Sequence, residues 1–164
     1  GSVDVEWDLG GVQLRSLSSY NSSRSSILHD LDGSDAVTVA HDNGRRAHET
    51  FSQEFQLLSG VDSEITWILG LYYYDESSDA SEVYDWDNLF VAGGPKATLD
   101  NYADLVSEAL GVFGQIDYPL TDKLTVVGGL RYSKDEKSFF GFIDAPDVGF
   151  VASMNPKNDF SSLL

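Results

Sequence analysis

Apolar and polar residues alternate along several stretches of this chain, which is the pattern of a β-strand with two different faces. The clearest example covers residues 123–137, where Leu124, Val126, Gly128, Leu130 and Tyr132 occupy every second position. Turn-forming residues bound each stretch, so the pattern predicts separate strands. The six predicted strands cover residues 3–7, 12–24, 48–59, 64–76, 102–118 and 123–137, and a seventh, truncated strand begins within residues 154–160.

The connections between these strands fall into two classes. Strands one and two, three and four, and five and six are joined by short turns. Between the pairs lie long polar segments, residues 25–47 and 77–101, and a third follows Phe139. Outer-membrane barrels have short turns at one end and long loops at the other. We therefore predict an all-β fold, an antiparallel up-and-down meander that forms a partial transmembrane β-barrel of about six or seven strands with long outer loops.

One segment permits a second interpretation. Leu99, Tyr102, Ala103 and Leu105 also fit the stripe of an amphipathic helix. A short helix up to about Leu110 would then precede a shorter fifth strand. We favour a strand from residue 106 onward and leave residues 98–105 open.

The alternation assigns side chains to lipid or to the lumen of the barrel. A charge that faces lipid at mid-bilayer costs a few kcal/mol, so charged strand residues are expected to point inward. Pairing of Glu54 with Arg131 across the lumen is a further hypothesis. The second strand does not choose a face clearly. The predicted lumen-facing residues are Glu54, Gln56, Tyr72, Gln115 and Arg131.

Composition reduces the number of functions that the chain could have. The chain carries 27 acidic residues against 10 Lys and Arg, a formal charge of −17, which argues against binding to nucleic acid. It has no cysteine, which excludes disulfides and thiolate metal sites. Aromatic residues lie near predicted strand ends, as in the interfacial girdles of barrels. They are Trp7, Tyr20, Trp67, Tyr72, Tyr73, Tyr74, Tyr118 and Tyr132.

No catalytic or metal-binding pattern is evident. His29, His41 and His48 lack the spacing of a zinc motif. The acidic segment 30–35 resembles a calcium loop only faintly, because the terminal bidentate glutamate is absent. The acidic residues between 75 and 87 are interpreted as hydrated. We expect no enzyme activity, no catalytic residue, no cofactor and no metal site.

Five segments resemble the barrel domain of TonB-dependent receptors. Residues 51–57 (FSQEFQL) resemble the family's "sQElrl" strand, and residues 66–73 (TWILGLYY) resemble its partner "tWlaGlyY". Residues 112–124 (VFGQIDYPLTDKL) are similar to "avFgqatYpltdkL", and residues 128–135 (GGLRYSKD) to "aGlRYt.de". Residues 14–20 (LRSLSSY) are similar to "LkSiTaY". The segments follow the family's order and cover most of the chain.

The resemblance implies a part of an outer-membrane receptor of a Gram-negative bacterium, which takes up a scarce nutrient such as a ferric siderophore in an energised step. Members of the family also have a plug domain, a TonB box and a barrel of about 22 strands. None of these is recognisable here, and nor is the family's terminal strand, so residues 1–164 are expected to be an internal fragment of the barrel domain. The implied partners are outer-membrane lipid and lipopolysaccharide, the TonB complex through the N-terminal part of the full receptor, and a small-molecule or oligosaccharide substrate.

Two other functions fit the strand pattern. A passive outer-membrane porin would show the same alternation of turns and loops. A secreted β-sandwich could bind carbohydrate through Trp86 and the tyrosines. The sandwich would pack two sheets around a dry core, whereas a barrel wall is a single sheet.

Overall fold

The computed structural model of the chain describes residues 1–30, 41–86 and 97–163. These residues form one antiparallel sheet of eight strands. A short 3₁₀ turn, Pro146–Val148, separates the sixth strand from the seventh. The strands are β1 (Ser2–Asp8), β2 (Val12–Asp30), β3 (His41–Ser59), β4 (Thr66–Trp86), β5 (Ala97–Thr121), β6 (Leu124–Ala145), β7 (Phe150–Met154) and β8 (Lys157–Leu163).

Each strand from β1 to β6 pairs with the next one in the chain, as predicted for an up-and-down meander. β7 and β8 both pair with β6 and follow one register, because Met154 lies opposite Gly141 and Lys157 opposite Ser138. Proline has no backbone N–H, so Pro156 interrupts the ladder between them. Its carbonyl still accepts a hydrogen bond from the backbone N–H of Phe139, at 3.1 Å. The predicted seventh strand is thus present, and its pairing with β6 begins earlier than predicted, at Phe150.

The strands extend well beyond their predicted bounds. Pairing of β2 with β3 continues to Asp30 opposite His41, and pairing of β4 with β5 reaches Trp86 opposite Ala97. Most of the residues predicted as long loops therefore lie in strands. The alternative prediction of a short helix before Leu110 is wrong, because β5 covers these residues. Strand preference depends strongly on neighbours, so a ladder already in register can continue through a polar sequence. Residues 31–40 and 87–96, the remainder of those loops, lie outside the described residues.

Short turns close the other end of the sheet, and we call this the turn end. The β1–β2 turn contains Gly10 and Gly11 at φ +74° and +113°, a conformation that favours glycine. The Asp8 side chain accepts a hydrogen bond from the backbone N–H of Gly10, at 2.8 Å. Asp122 and Lys123 connect β5 to β6, where Thr121 pairs with Leu124. We call the opposite end of the strands, at residues 30, 41, 86 and 97, the loop end.

The described strands have no second layer against which to pack. Ala97, Ala145 and Ser107 are the buried apolar and polar side chains, whereas many large apolar side chains are exposed. The sheet is open, with β1 at one edge and β7 and β8 at the other. A sandwich with two sheets around a dry core is therefore not what the chain forms.

Candidate functional site

The register of the ladders sorts the side chains onto two faces of the sheet. Residues directly opposite one another in an antiparallel pair lie on the same face, and successive residues alternate. Leu57 lies opposite Leu69, Leu69 opposite Gly114, and Gly114 opposite Leu130. We call the face that carries this row the apolar face and the other the polar face. The apolar face also carries Val3, Val5, Trp7, Phe55, Trp67, Leu71, Tyr73, Leu110, Val112, Ile116, Tyr118, Val126 and Tyr132.

The apolar face is open to the surroundings. Leu130 is 69% exposed, Leu69 55% and Val112 51%. Isolated exposed leucines are common in proteins, but a continuous apolar area across several strands marks a surface that contacts something else. The described part of the chain contributes nothing that covers this area.

The structure shows which face of the sheet each side chain of the second strand occupies, a question that the sequence left undecided. Leu14 lies on the apolar face, opposite Trp7 and Leu57. Arg15 lies on the polar face between two carboxylates of β1, with its Nη2 atom 2.5 Å from Asp4 Oδ2 and its Nε atom 3.3 Å from Glu6 Oε1. The facing of β2 follows from these partners on the neighbouring strands, which a single strand does not reveal.

Gln53 is a polar residue on the apolar face, as its sequence position suggested. It lies opposite Ser18 and Tyr73. The Ser18 hydroxyl donates a hydrogen bond to its side-chain oxygen, and its Nε2 atom donates to the Ser16 hydroxyl at 3.0 Å. The amide is therefore paired within the sheet, which lowers the cost of placing it in an apolar environment.

All five predicted lumen-facing residues lie together on the polar face. Glu54 is opposite Tyr72, and both lie next to the row that joins Gln56, Gly70, Phe113 and Arg131. Gln115 lies on the same face of β5, opposite Gly129 and Ile68. Gln115 donates a hydrogen bond from Nε2 to Asp117 Oδ1, at 2.9 Å. The five side chains therefore share one face of the sheet.

Arg131 is held by an aromatic ring and a hydroxyl. Its guanidinium carbon lies 5.8 Å from the centroid of the Phe113 ring, within the range of a cation–π interaction. Its Nε atom donates to the Ser133 hydroxyl at 3.0 Å. The Phe113 ring covers Gly70, where a built Cβ atom would lie 2.1 Å from Phe113 Cζ. Glycine at position 70 thus leaves room for the Phe113 ring, and this ring supports the Arg131 guanidinium.

The structure does not bring Glu54 and Arg131 together. Glu54 accepts a hydrogen bond from Gln56 Nε2 at 2.6 Å, whereas Arg131 contacts Phe113 and Ser133. The two residues lie on β3 and β6, three strand spacings or about 14 Å apart. The hypothesis that they form a pair is therefore wrong within this sheet.

Tyrosines on β4 divide between the two faces. Tyr73 lies on the apolar face, while Tyr72 and Tyr74 lie on the polar face with their rings stacked, 6.5 Å between centroids and 13° between planes. The Tyr74 hydroxyl donates to Glu76 Oε2 at 3.2 Å. The three consecutive tyrosines thus do not form one girdle, because strand alternation separates them.

A polar cluster at the loop end escaped sequence reasoning. Arg46 Nη2 lies 2.6 Å from Glu82 Oε1, and the Tyr84 hydroxyl donates to Glu82 Oε2 at 2.8 Å. The hydrogen bond from Arg46, followed by that from Tyr84, lowers the pKa of Glu82 below its usual value. His48 Nδ1 lies 2.6 Å from the Ser78 hydroxyl and 3.6 Å from Glu76 Oε1. The predicted loops contain Arg46, Ser78, Glu82 and Tyr84, while His48 and Glu76 lie at the ends of two predicted strands, so no register was available to pair them.

Among the described residues, no three His, Cys, Asp or Glu side chains come together in a way that could hold a metal ion. The faint calcium-like segment lies, after Asp30, outside the described residues. In the same part of the chain, no helix is long and apolar enough to cross a membrane.

Comparison with known proteins identifies the family. The family model described as "TonB dependent receptor-like, beta-barrel" matches residues 2–161. No curated protein sequence matches the chain. The structure is similar to the ferric yersiniabactin uptake receptor FyuA from Yersinia pestis, with a TM-score of 0.72 and 16% identity, covering 99% of this chain and 24% of that one. The ferric citrate transporter FecA in its unliganded form is matched more weakly, with a TM-score of 0.48 and 9% identity, over 99% of this chain and 23% of that one.

The chain therefore spans about a quarter of the length of FyuA. The matched family consists of receptor barrels rather than enzymes. The likeness to FyuA shows the same fold, and the family match over nearly the whole chain shows kinship. This chain belongs to the TonB-dependent receptor-like β-barrel family.

Proposed function

We propose that this chain forms part of the barrel wall of an outer-membrane receptor, as an internal fragment of the barrel domain, and that the full receptor takes up a scarce nutrient such as a ferric siderophore in an energised, TonB-dependent step. The observation that carries the proposal is the apolar face. It crosses at least four neighbouring strands at a common level, whereas the opposite face of the same strands is polar. A soluble sheet would bury such a face beneath a second layer.

The size of the apolar face supports a bilayer as its surroundings. On β5 it extends from Leu110 to Tyr118, and on β6 from Leu124 to Tyr132. Each stretch has about nine residues, close to the 9–11 that a tilted strand needs to cross the hydrocarbon core. Tyr118 and Tyr132 lie at the ends of these stretches, and Tyr73 ends the corresponding stretch on β4. Aromatic side chains at such positions form the interfacial girdles of barrels.

The polar face is proposed to line the lumen. Glu54, Gln56, Tyr72, Gln115 and Arg131 would then face water, a plug domain or a passing substrate. Arg131 is suited to such a contact, because Phe113 and Ser133 fix its guanidinium while, among the described residues, only its Nε–H is engaged with a protein acceptor. A fixed guanidinium binds carboxylates well, since little side-chain entropy is lost.

The substrate class is proposed from the family and from the structural neighbour FyuA, which is a ferric yersiniabactin uptake receptor. Lipopolysaccharide and phospholipid are the proposed neighbours of the wall, and TonB acts through other parts of the full receptor. A strain that carries the receptor as its only route for a candidate substrate should take up that substrate with TonB present and lose uptake without it. Uptake that persists without TonB would favour the passive porin and reject the energised mechanism.

Spin labelling tests the orientation of the two faces directly. The chain has no cysteine, so single cysteines can be placed at Gln115 and at its neighbour Ile116. In the full receptor in vesicles, oxygen dissolved in lipid should relax a label at residue 116 several-fold more strongly than one at residue 115. The pair Tyr72 and Leu71 on β4 provides a matched repeat. Equal relaxation at both positions of each pair would contradict the proposed lipid-facing role.

A further inference from the structure

The loop-end half of the polar face carries a group of small and apolar side chains. They lie on β4, β5 and β6, and the group consists of Ala80, Leu99, Ala103, Leu105, Phe139 and Ile143. In the proposed membrane setting this face points into the lumen, so lipid does not reach the group. No described residue covers it as a second layer. A contiguous apolar area that faces water marks a surface for binding.

A cavity of about 270 Å³ opens at the edge of this group. Three adjacent strands line it, with Arg46, Ala47 and His48 from β3, Ser78, Asp79 and Ala80 from β4, and Ala103 and Leu105 from β5. Ala80 lies opposite Ala103, and these two short side chains leave the space open. At this level β3, β4 and β5 each pair with a described strand on both sides, so the cavity is not the gap beside an unpaired strand edge.

Arg46 lines one side of the cavity with a guanidinium that is held at its edge. Its Nη2 atom lies 2.6 Å from Glu82 Oε1, and the Tyr84 hydroxyl donates to the other carboxylate oxygen at 2.8 Å. A carboxylate ligand would therefore have to compete with Glu82 for Arg46. A planar aromatic ring would not, because it stacks on the flat side of a guanidinium while hydrogen bonds are made in the plane.

His48 supplies a polar group at the turn-end side of the cavity. Its Nδ1 atom lies 2.6 Å from the Ser78 hydroxyl and 3.6 Å from Glu76 Oε1, and these contacts orient the imidazole ring. Within the described part of the chain its Nε2 atom has no hydrogen-bond partner. A hydroxyl group can donate or accept a hydrogen bond, so it can pair with Nε2 in either tautomer of the ring.

We propose that this cavity binds a hydroxylated aromatic ring of the substrate. The ring stacks on Arg46 and packs on Ala103 and Leu105, and its hydroxyl group bonds to His48. The inference rests on the proposed function, because the substrate reaches the cavity from the lumen. A sugar would place several hydroxyl groups against alanine and leucine without partners, and an alkyl group would gain nothing from the guanidinium. The cavity is smaller than a pocket for a whole drug-sized ligand, so it holds one ring of a larger molecule.

The experiment uses the full receptor in mild detergent and two water-soluble probes, catechol and trans-1,2-cyclohexanediol. Both probes carry two neighbouring hydroxyl groups on a six-membered ring, and only catechol is aromatic. Saturation-transfer NMR titrations give the affinity for each probe. The parent should bind catechol about threefold more tightly than the diol, because only the aromatic ring stacks on Arg46.

Three variants locate the binding. Ala103→Leu fills the cavity and should weaken binding of catechol about fivefold. Ala109→Leu makes the same change on the same strand and face outside the cavity, and it should bind catechol like the parent. Arg46→Lys keeps the charge without the planar guanidinium, so it should weaken binding of catechol about threefold and leave binding of the diol unchanged.

Equal affinity of the parent for the two probes would overturn the proposal, and so would equal binding of catechol by Ala103→Leu and Ala109→Leu. Heat-dependent migration in gel electrophoresis shows whether each variant forms a folded barrel, and Arg46→Lys provides the test if Ala103→Leu does not fold. Uptake with and without TonB is measured on the same receptor. Loss of the energised mechanism is therefore seen separately from loss of ring binding.

Discussion

The two halves of the long strands share one backbone and differ in their side chains. In the turn-end half of β4, Trp67, Leu69, Leu71 and Tyr73 follow one another on the apolar face. In the loop-end half the same face carries Asp75, Ser77 and Asp79. A row of carboxylates lies at this change on β4, β5 and β6, because Asp75 lies opposite Glu108, and Glu108 opposite Glu136. The backbone pairing continues without a break across this row, so the hydrogen-bonded sheet does not explain the change.

The proposed membrane surroundings of the sheet account for the change. β4 has 21 residues. At about 3.3 Å per residue and a tilt of about 45°, such a strand rises about 50 Å, while the hydrocarbon core is about 30 Å thick. In the proposed membrane setting a strand of this length must leave the bilayer, and the row of carboxylates that continues the apolar face marks where it would do so. The length of a strand and the length of its apolar stretch are therefore separate properties.

A charged substitution should separate the two halves by the largest amount. Leu71→Arg and Ser77→Arg place the same charge on the same face of β4, six residues apart. In the full receptor in vesicles, Leu71→Arg should reduce the free energy of unfolding by about 2–4 kcal/mol, and Ser77→Arg by about 0–1 kcal/mol, because the cost depends on depth in the bilayer. Denaturant titration followed by tryptophan fluorescence measures both. Equal losses would show that the two halves share one environment.

Two glycine substitutions test the difference between the polar and apolar faces of the turn-end half. Gly70→Ala places a methyl group within 2.2 Å of two Phe113 ring atoms on the polar face. It should cost about 1–3 kcal/mol through overpacking and also release Arg131 from its support. The methyl group of Gly128→Ala on the apolar face has no atom of the described residues within 4 Å, so the change should be neutral or stabilise the strand by up to about 1 kcal/mol. A loss of stability in Gly128→Ala equal to that in Gly70→Ala would refute this assignment of the two glycines.

The turn-end half could be predicted from the sequence, because the alternation of apolar and polar residues is visible within each single strand. Alternation at residues 124–132 and 110–118 gave both the strands and their faces, and the resemblance gave the family. The loop-end half was not predictable, since Arg46 and Glu82 lie in segments rich in Ser and Asp that read as loops. Strand preference there comes from the partner strand rather than from the residue itself. For the same reason, the shared polar face of the five candidate residues was predicted, whereas the support of Arg131 by Phe113 required the register.

The smallest effect is expected at the loop end, where the ion pair of Arg46 and Glu82 is partly solvated. Such pairs contribute about 0.2–1 kcal/mol. The bond to Arg46 lowers the pKa of Glu82, so its contribution is present above the ordinary carboxyl pKa and is lost as the pH falls through the lowered value. Glu82→Gln should therefore reduce stability slightly at pH 7 and make unfolding less dependent on pH below about 4.5, the ordinary glutamate value. Asp79→Asn removes a carboxylate from the same half of β4 without changing the pair of Arg46 and Glu82, and it serves as a control for charge alone. If Glu82→Gln left the acid limb of the stability curve unchanged, the pair would not contribute, and the loop-end half would be held by backbone pairing alone.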